Sequence, residues 1–174
     1  MCHRRQAALG GGAGVVPRVL LLVMLVTNHV LSGALIGGVV RRPEAAFATG
    51  VASHFVLDAI PHWGDWGSRH RFLRVAVPDG LTGLAVIGVL AAATPPPRRL
   101  SVLAGMAGAA LPDIDKPSRL WFGRSPFPSA VDHFHGVIQN EARGRYWVEL
   151  IAAGCFTAGI GLALRRISQA HQAG

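Results

Sequence analysis

The stretch PDGLTGLAVIGVLAAA, Pro78 to Ala93, carries one charged residue, Asp79, and carries it at the very start. Proline is favoured in a helix's first turn, so Pro78 and Asp79 read as the opening of a helix that runs to about Ala93. The body of that helix is dominated by Gly, Ala, Leu and Val. Small residues of this kind let helix backbones approach closely in a bilayer, where no hydrophobic force drives helices together.

The whole chain shares this bias. Its 174 residues are 51% hydrophobic and only 15% charged, with a mean hydropathy of +0.38. A soluble domain carries about 25% charge. Lipid explains the deficit, and the sequence reads as a small integral membrane protein of one domain. The formal net charge is +8, and Lys116 is the only lysine. The arginines fall in pairs between apolar runs: Arg41-Arg42, Arg98-Arg99 and Arg165-Arg166. That placement suits headgroups and helix ends. No basic stripe with interleaved aromatics is present, so nucleic acid is not an expected partner. Cys2 and Cys155 are isolated and imply neither a disulfide framework nor a cysteine metal site.

Outward from Pro78–Ala93, the expected architecture is all-α: a polytopic membrane bundle of about five helices, with a polar segment between the fourth and fifth. The first helix covers roughly residues 27–40, capped by Thr27 or Asn28 and stopped by Arg41-Arg42-Pro43. The second spans about 44–60 and ends at Pro61; the fourth spans about 100–111 and ends at Pro112. A polar segment from Asp113 to Arg145 holds a short helix near 129–140, and the last helix covers 146–164. Helices 1, 2 and 4 fall short of the ~20 residues that span a bilayer comfortably. Residues 1–23 read as an N-terminal extension or signal anchor, with Met24 near the functional start. Residues 24–166 form the membrane domain and 167–174 a polar tail.

Several ionisable residues lie where lipid penalises them. His29, His54 and Asp58 fall in or at the ends of apolar helices, at a cost of roughly 2.5 to 3.5 kcal/mol each on insertion scales. His54 and Asp58 are one turn apart on one helix face, and His62 follows just past Pro61. Mixed imidazole and carboxylate donors suit zinc, and also manganese or iron. A buried hydrogen-bonded lock explains His54 and Asp58 equally well; His62 tips the balance towards a metal shared by all three. In Leu111-Pro112-Asp113-Ile114-Asp115, two carboxylates at i and i+2 of an extended segment point the same way. Asp132-His133-Phe134-His135, with Gln139 and Glu141, is a third polar cluster.

With one crossing per helix, Asp58, His62, Asp79, Asp113, Asp115 and the His133–Glu141 segment share one membrane face, and so does His29. Stray polar residues would scatter over both faces, so the convergence points to a site. Asp79 is counted among the ligands, although a carboxylate at a helix start is also what the helix dipole favours. The arginine distribution leans towards a cytoplasmic site.

The motifs Asn28-His29-(x)3-Gly33, SHFVLDAIPHW (Ser53 to Trp63), LPDID and FHGVIQ (Phe134 to Gln139) resemble bacterial multi-pass proteins of the LexA-binding, inner-membrane-associated metal-dependent hydrolase family. A fainter similarity is to zinc-dependent phospholipase C. The resemblance implies a bound divalent metal, zinc above all, and hydrolysis of an ester or phosphoester. It carries over to His29, His54, Asp58, His62, Asp113, Asp115 and His135. The chain lacks the Thr-His-Ser string that the hydrolase group usually carries, and has Asp132-His133-Phe134-His135-Gly136 instead. The reading is a hydrolase in the cell membrane with a lipid or lipid-linked phosphoester substrate. His29, His54, Asp58, His62, Asp79 and Asp113 hold metal, and Asp115 and His135 act in catalysis. A metal or proton transporter, or a structural membrane protein with buried polar locks, is the alternative.

Overall fold

Helices account for nearly all of the described chain in the computed structural model, which describes residues 25–64 and 68–172. They are α1 (Val26–Val39), α2 (Pro43–Ala59), α3 (Arg69–Ala93), α4 (Pro96–Ala110), α5 (Asp115–Phe122), α6 (Ser129–Ile138) and α7 (Tyr146–Gln172). Two short strands, β1 (His62–Trp63) and β2 (Glu141–Ala142), pair in parallel with His62 opposite Glu141. The N-terminal extension expected over residues 1–23 lies outside the described residues.

α1 is the axis of the bundle. Its residues Asn28 to Ala34 and Gly37 are buried, and it packs on α2, α3, α4 and α7. The apolar core joins Val30, Leu31 and Ala34 to Val102 and Met106 of α4 and Ile160 of α7. α1 and α4 meet backbone to backbone at Gly33 and Gly105, where a Cβ on either would run into the other's carbonyl. α2 also closes on α4 backbone to backbone, where a Cβ on Gly50 would run into the carbonyl of Gly105 and one on Gly108 into that of Phe47. The small residues that mark the sequence are therefore the contact surface between helices.

Polar side chains finish the helix ends. Arg98 Nη2 donates to the carbonyl of Gly38 at 2.8 Å, and Ser101 Oγ to that of Arg41 at 2.6 Å. Both cover carbonyls at or just beyond the C-terminal end of α1, where cationic and hydroxyl donors are favoured. The N-terminus of α1 is capped from a distance. Asp79 accepts from Val26 N at 2.7 Å, Thr27 N at 3.2 Å and Thr27 Oγ1 at 2.6 Å. Asp79→Ala should therefore cost about 1–2 kcal/mol, as lost caps do, seen as a lower melting temperature in detergent with metal content unchanged. Loss of metal in that variant would return Asp79 to the ligand set.

Three boundaries differ from the sequence expectation, the first being that α4 starts at Pro96 rather than near residue 100. α3 starts at Arg69, and Pro78 lies inside it. Ser68 Oγ caps the earlier start by accepting from Arg71 N at 3.3 Å. A small apolar cluster around buried Phe72, with Trp63, Leu73, Val75 and Ala76, holds the turns before the proline. Packing there outweighs the hydrogen bond that Pro78 removes. α7 runs past Arg165-Arg166 to Gln172, since arginine is a good helix former and does not stop a helix by itself.

Two helices, Arg69–Ala93 and Arg143–Ala170, are long and apolar enough to cross a membrane, with mean hydropathies of 1.8 and 1.7. Only 6% and 11% of their apolar windows are buried, unlike the core helices of a soluble domain. α1, α2 and α4 have 14, 17 and 15 residues. At about 1.5 Å per residue they fall below the ~30 Å hydrocarbon thickness.

Candidate metal centre

His29 stands in the first turn of α1, and His54 and Asp58 stand in the last turns of α2. α4 runs the same way as α2, and the chain beyond it brings Asp113 and Asp115 to the same end. The Asp113-Ile114-Asp115 segment is not extended, as its alternation suggested. Leu111–Ile114 forms a 3-10 turn that leads straight into α5, because Pro112 is tolerated in a first turn. α6 then folds back over this end. Asp132 anchors it by pairing with Arg119 of α5 and accepting from Ser125 Oγ at 2.8 Å. That contact brings His135, one turn further along α6, inward.

The result is a buried knot of imidazoles and carboxylates. His29 is 0% exposed, His54 0%, Asp58 1%, His135 5% and Asp113 7%. Asp58 Oδ2 lies 3.1 Å from His54 Nε2 and 2.9 Å from His135 Nε2. The two Nε2 atoms are 3.0 Å apart. His29 Nε2 is 3.2 Å from Asp58 Oδ1, and its ring stacks on that of His54 at 3.9 Å. Asp113 Oδ1 is 3.7 Å from His54 Nε2 and 3.8 Å from His135 Nε2.

Neighbouring groups orient these donors. His54 Nδ1 lies 2.8 Å from the carbonyl of Ala109. A carbonyl can only accept, so Nδ1 carries a proton, and in the neutral form of the ring Nε2 turns a bare lone pair on the cluster. This is the outer hydrogen bond that metal-binding histidines typically make. Gln139 Nε2 donates to Asp58 Oδ2 at 2.9 Å, and Asn140 N to the Asp58 carbonyl at 3.1 Å. These two bonds stitch the end of α6 to the end of α2. Lys116 pairs with Asp113 and lies 3.5 Å from Asp115. Burial works against its charge, but Asp113 and then Asp115 outweigh it and push the lysine's pKa above its ordinary value. Asp113 is likewise held below the usual carboxylate range: burial opposes this, and Lys116 followed by His54 and His29 overcomes it.

These residues could hold a metal ion. His29, His54 and Asp113 place ligand atoms within 4.8 Å of one another, as do His54, Asp58 and His135, and Asp113, Asp115 and His135. The fit is supported by what the cluster leaves undone. Both ring nitrogens of His29, Asp58 Oδ1, Asp113 Oδ2 and Asp115 Oδ1 are buried and make no hydrogen bond. Such atoms cost about 1–3 kcal/mol each when left alone. With His54 Nε2 an acceptor, the one N–H that His135 Nε2 can offer is shared between His54 Nε2 at 3.0 Å and Asp58 Oδ2 at 2.9 Å, so a cation among these atoms would relieve the crowding of lone pairs. Donors on a tetrahedral ion at ~2.0–2.2 Å stand about 3.3–3.6 Å apart, only slightly wider than the spacing around Asp58.

Two residues expected as ligands lie elsewhere. His62 is buried, but its Nδ1 is 2.8 Å from the Ile60 carbonyl and its Nε2 faces Glu141 at 3.7 Å across the β1–β2 pair. The turn after Pro61 carries it away from Asp58, and His29 and His135 from other helices stand with His54 and Asp58 instead. Asp79 is engaged as the cap of α1. His133 is exposed. Lys116 and Glu149 are functional-looking residues that the sequence reading passed over. Glu149 is 1% exposed and accepts from Asn28 Nδ2 at 2.6 Å and Trp63 N at 3.3 Å. A lone carboxylate in the apolar run of α7, and the chain's one lysine beside two aspartates, were the available signals.

No family model, no curated protein and no solved structure matches this chain.

Proposed function

We propose that this protein is a multi-pass membrane protein of the cell membrane and a metal-dependent hydrolase of an ester or phosphoester. The observation that carries the reading is His29: a wholly buried imidazole whose Nδ1 has no hydrogen-bond partner and whose Nε2 faces Asp58 Oδ1 at 3.2 Å, stacked against a second histidine. A purely structural lock is expected to satisfy its polar atoms; a ligand set is expected to leave them free. His29, His54, Asp58, His135 and Asp113 would hold a divalent ion, zinc fitting the donor set best. Such an ion supplies Lewis acidity and a water acidic enough to ionise near neutral pH.

The chain's own groups fit the remaining tasks. Asp115 has a side chain 13% exposed, against 1% for Asp58 and 8% for Asp113, so it is the carboxylate best placed to take a proton from an attacking water. Lys116 and Arg119 each lie 3.5 Å from it. His135 joins the ligand side rather than serving as the base. Lipid is the natural partner, since the outward faces of α3 and α7 carry Leu81, Leu84, Val89, Leu150, Ile151 and Leu162 exposed.

The transporter alternative calls for ligands spread through the membrane's depth, whereas these gather at one end of α1, α2 and α4. Zinc analysis of detergent-purified protein, with hydrolysis of a chromogenic phosphodiester before and after chelation, tests the proposal. About one or two ions per chain and a chelator-sensitive rate are expected. Folded protein that takes up no zinc, manganese or iron would overturn it.

A further inference from the structure

A cavity of about 480 Å³ opens beside the metal cluster, between α1, α3, α5 and the 3-10 turn. It falls in the range of small-molecule sites, ~300–1,000 Å³. Its wall is apolar, built from residues such as Val30, Phe72, Ala76, Leu84, Ile87 and Leu120. Three charged residues line it: Asp79, Asp113 and Lys116. Asp79 is occupied in capping α1, which leaves Asp113 and Lys116 as the polar end. Asp113 belongs to both places at once, since it lines the cavity and stands among the ligand atoms of the cluster. Its Oδ2 is buried and makes no hydrogen bond. On the outer side Leu81, Leu84 and Trp121 are 63%, 66% and 73% exposed, so the cavity communicates with the surface that α3 would present to lipid.

We infer that this cavity is a slot for one acyl chain of a membrane lipid with a phosphate-bearing headgroup. The chain would enter from the bilayer along α3, and the phosphoester would rest at Asp113 and Lys116 beside the cluster. This rests on the hydrolase reading for its chemistry and assigns the acyl chain of the expected lipid substrate a cavity of its own. The geometry suits an amphiphile: a long apolar wall closed at one end by an ammonium and a carboxylate. A water-soluble phosphoester would have no use for the apolar wall.

The slot can be filled without disturbing the bundle. Gly80 lines the cavity, and a Cβ there would meet nothing within 4 Å. Gly80→Phe also raises helix propensity in α3. Ala76→Phe, one turn earlier on the same wall, serves as a second variant. The full chain would be reconstituted in phosphatidylcholine vesicles doped with a phosphatidic acid bearing a diazirine in its acyl chain. After illumination, labelled peptides and zinc content would be measured on the same samples. Labelling is expected to concentrate on residues 25–30 and 72–87, and to fall about fivefold in either variant, roughly 1 kcal/mol of lost binding, with zinc retained. Labelling spread evenly over the outward faces of α3 and α7, and unchanged by Gly80→Phe and Ala76→Phe, would overturn the slot while leaving the metal site standing. A labelled slot in protein that never takes up metal would support the slot and defeat the hydrolase.

Discussion

His135→Ala should strip the protein of bound metal as completely as His54→Ala or Asp58→Ala, while His62→Ala should leave the metal in place. The three residues of the first group meet within 3.1 Å of one another, with His135 on α6 standing 81 and 77 residues beyond His54 and Asp58 on α2. Removing one leaves the others without a common focus, so a double variant should lose little more than either single one. Even outer-shell changes at metal sites cost about 10- to 100-fold in affinity, and direct ligands should exceed that. His62 offers a contrast because its Nε2 faces Glu141. Zinc content after dialysis against a weak chelator is the measurement. Retention of metal by His135→Ala, or its loss in His62→Ala with the fold intact, would return the site to the line of residues along α2 and its exit.

Gly105→Leu should abolish the folded bundle. A Cβ at Gly105 would collide with the carbonyl of Gly33 and come within 3.1 Å of Gly37 N. The obstruction is backbone, which cannot rotate aside as a side chain can. Overpacking a core commonly costs 1–3 kcal/mol; here it would also separate α1 from α4, and with them His29 from the turn that carries Asp113. Gly88→Leu is the control, since a Cβ at Gly88 meets nothing within 4 Å. Size-exclusion profiles and melting curves in detergent should show a single stable species for Gly88→Leu and aggregation for Gly105→Leu. A monodisperse Gly105→Leu with normal metal content would mean that the helices do not meet at these glycines.

Helices and the residues they carry on one face are local properties, and these were legible in the chain itself. Apolar runs punctuated by Pro43, Pro61 and Pro95 to Pro97 mark most helix ends to within a few residues. The four-residue spacing of His54 and Asp58 places them together before any tertiary contact is known, because 3.6 residues make a turn. The gathering of polar residues at one end also follows from counting helices, since successive helices of a bundle reverse direction. Pro78 misled the reading, because the residues that extend α3 back to Arg69 are held by the packing of Phe72 against Trp63 rather than by helix propensity.

Partners across the chain were decided only by the tertiary structure. Nothing near Asp79 says that its carboxylate caps a helix more than fifty residues earlier. Nothing near His62 says that a strand at Glu141 draws it away from Asp58, or that His29 and His135 stand there instead. Asn28 and Glu149 meet across 121 residues of sequence, and each alone looks like an ordinary polar residue beside an apolar run. The physical reason is the range of the forces involved. Helix periodicity and proline sterics act over a turn or two and leave their mark in adjacent letters. The ligand set depends instead on close backbone approach at Gly33, Gly50, Gly105 and Gly108, which sets how α1, α2 and α4 register against one another.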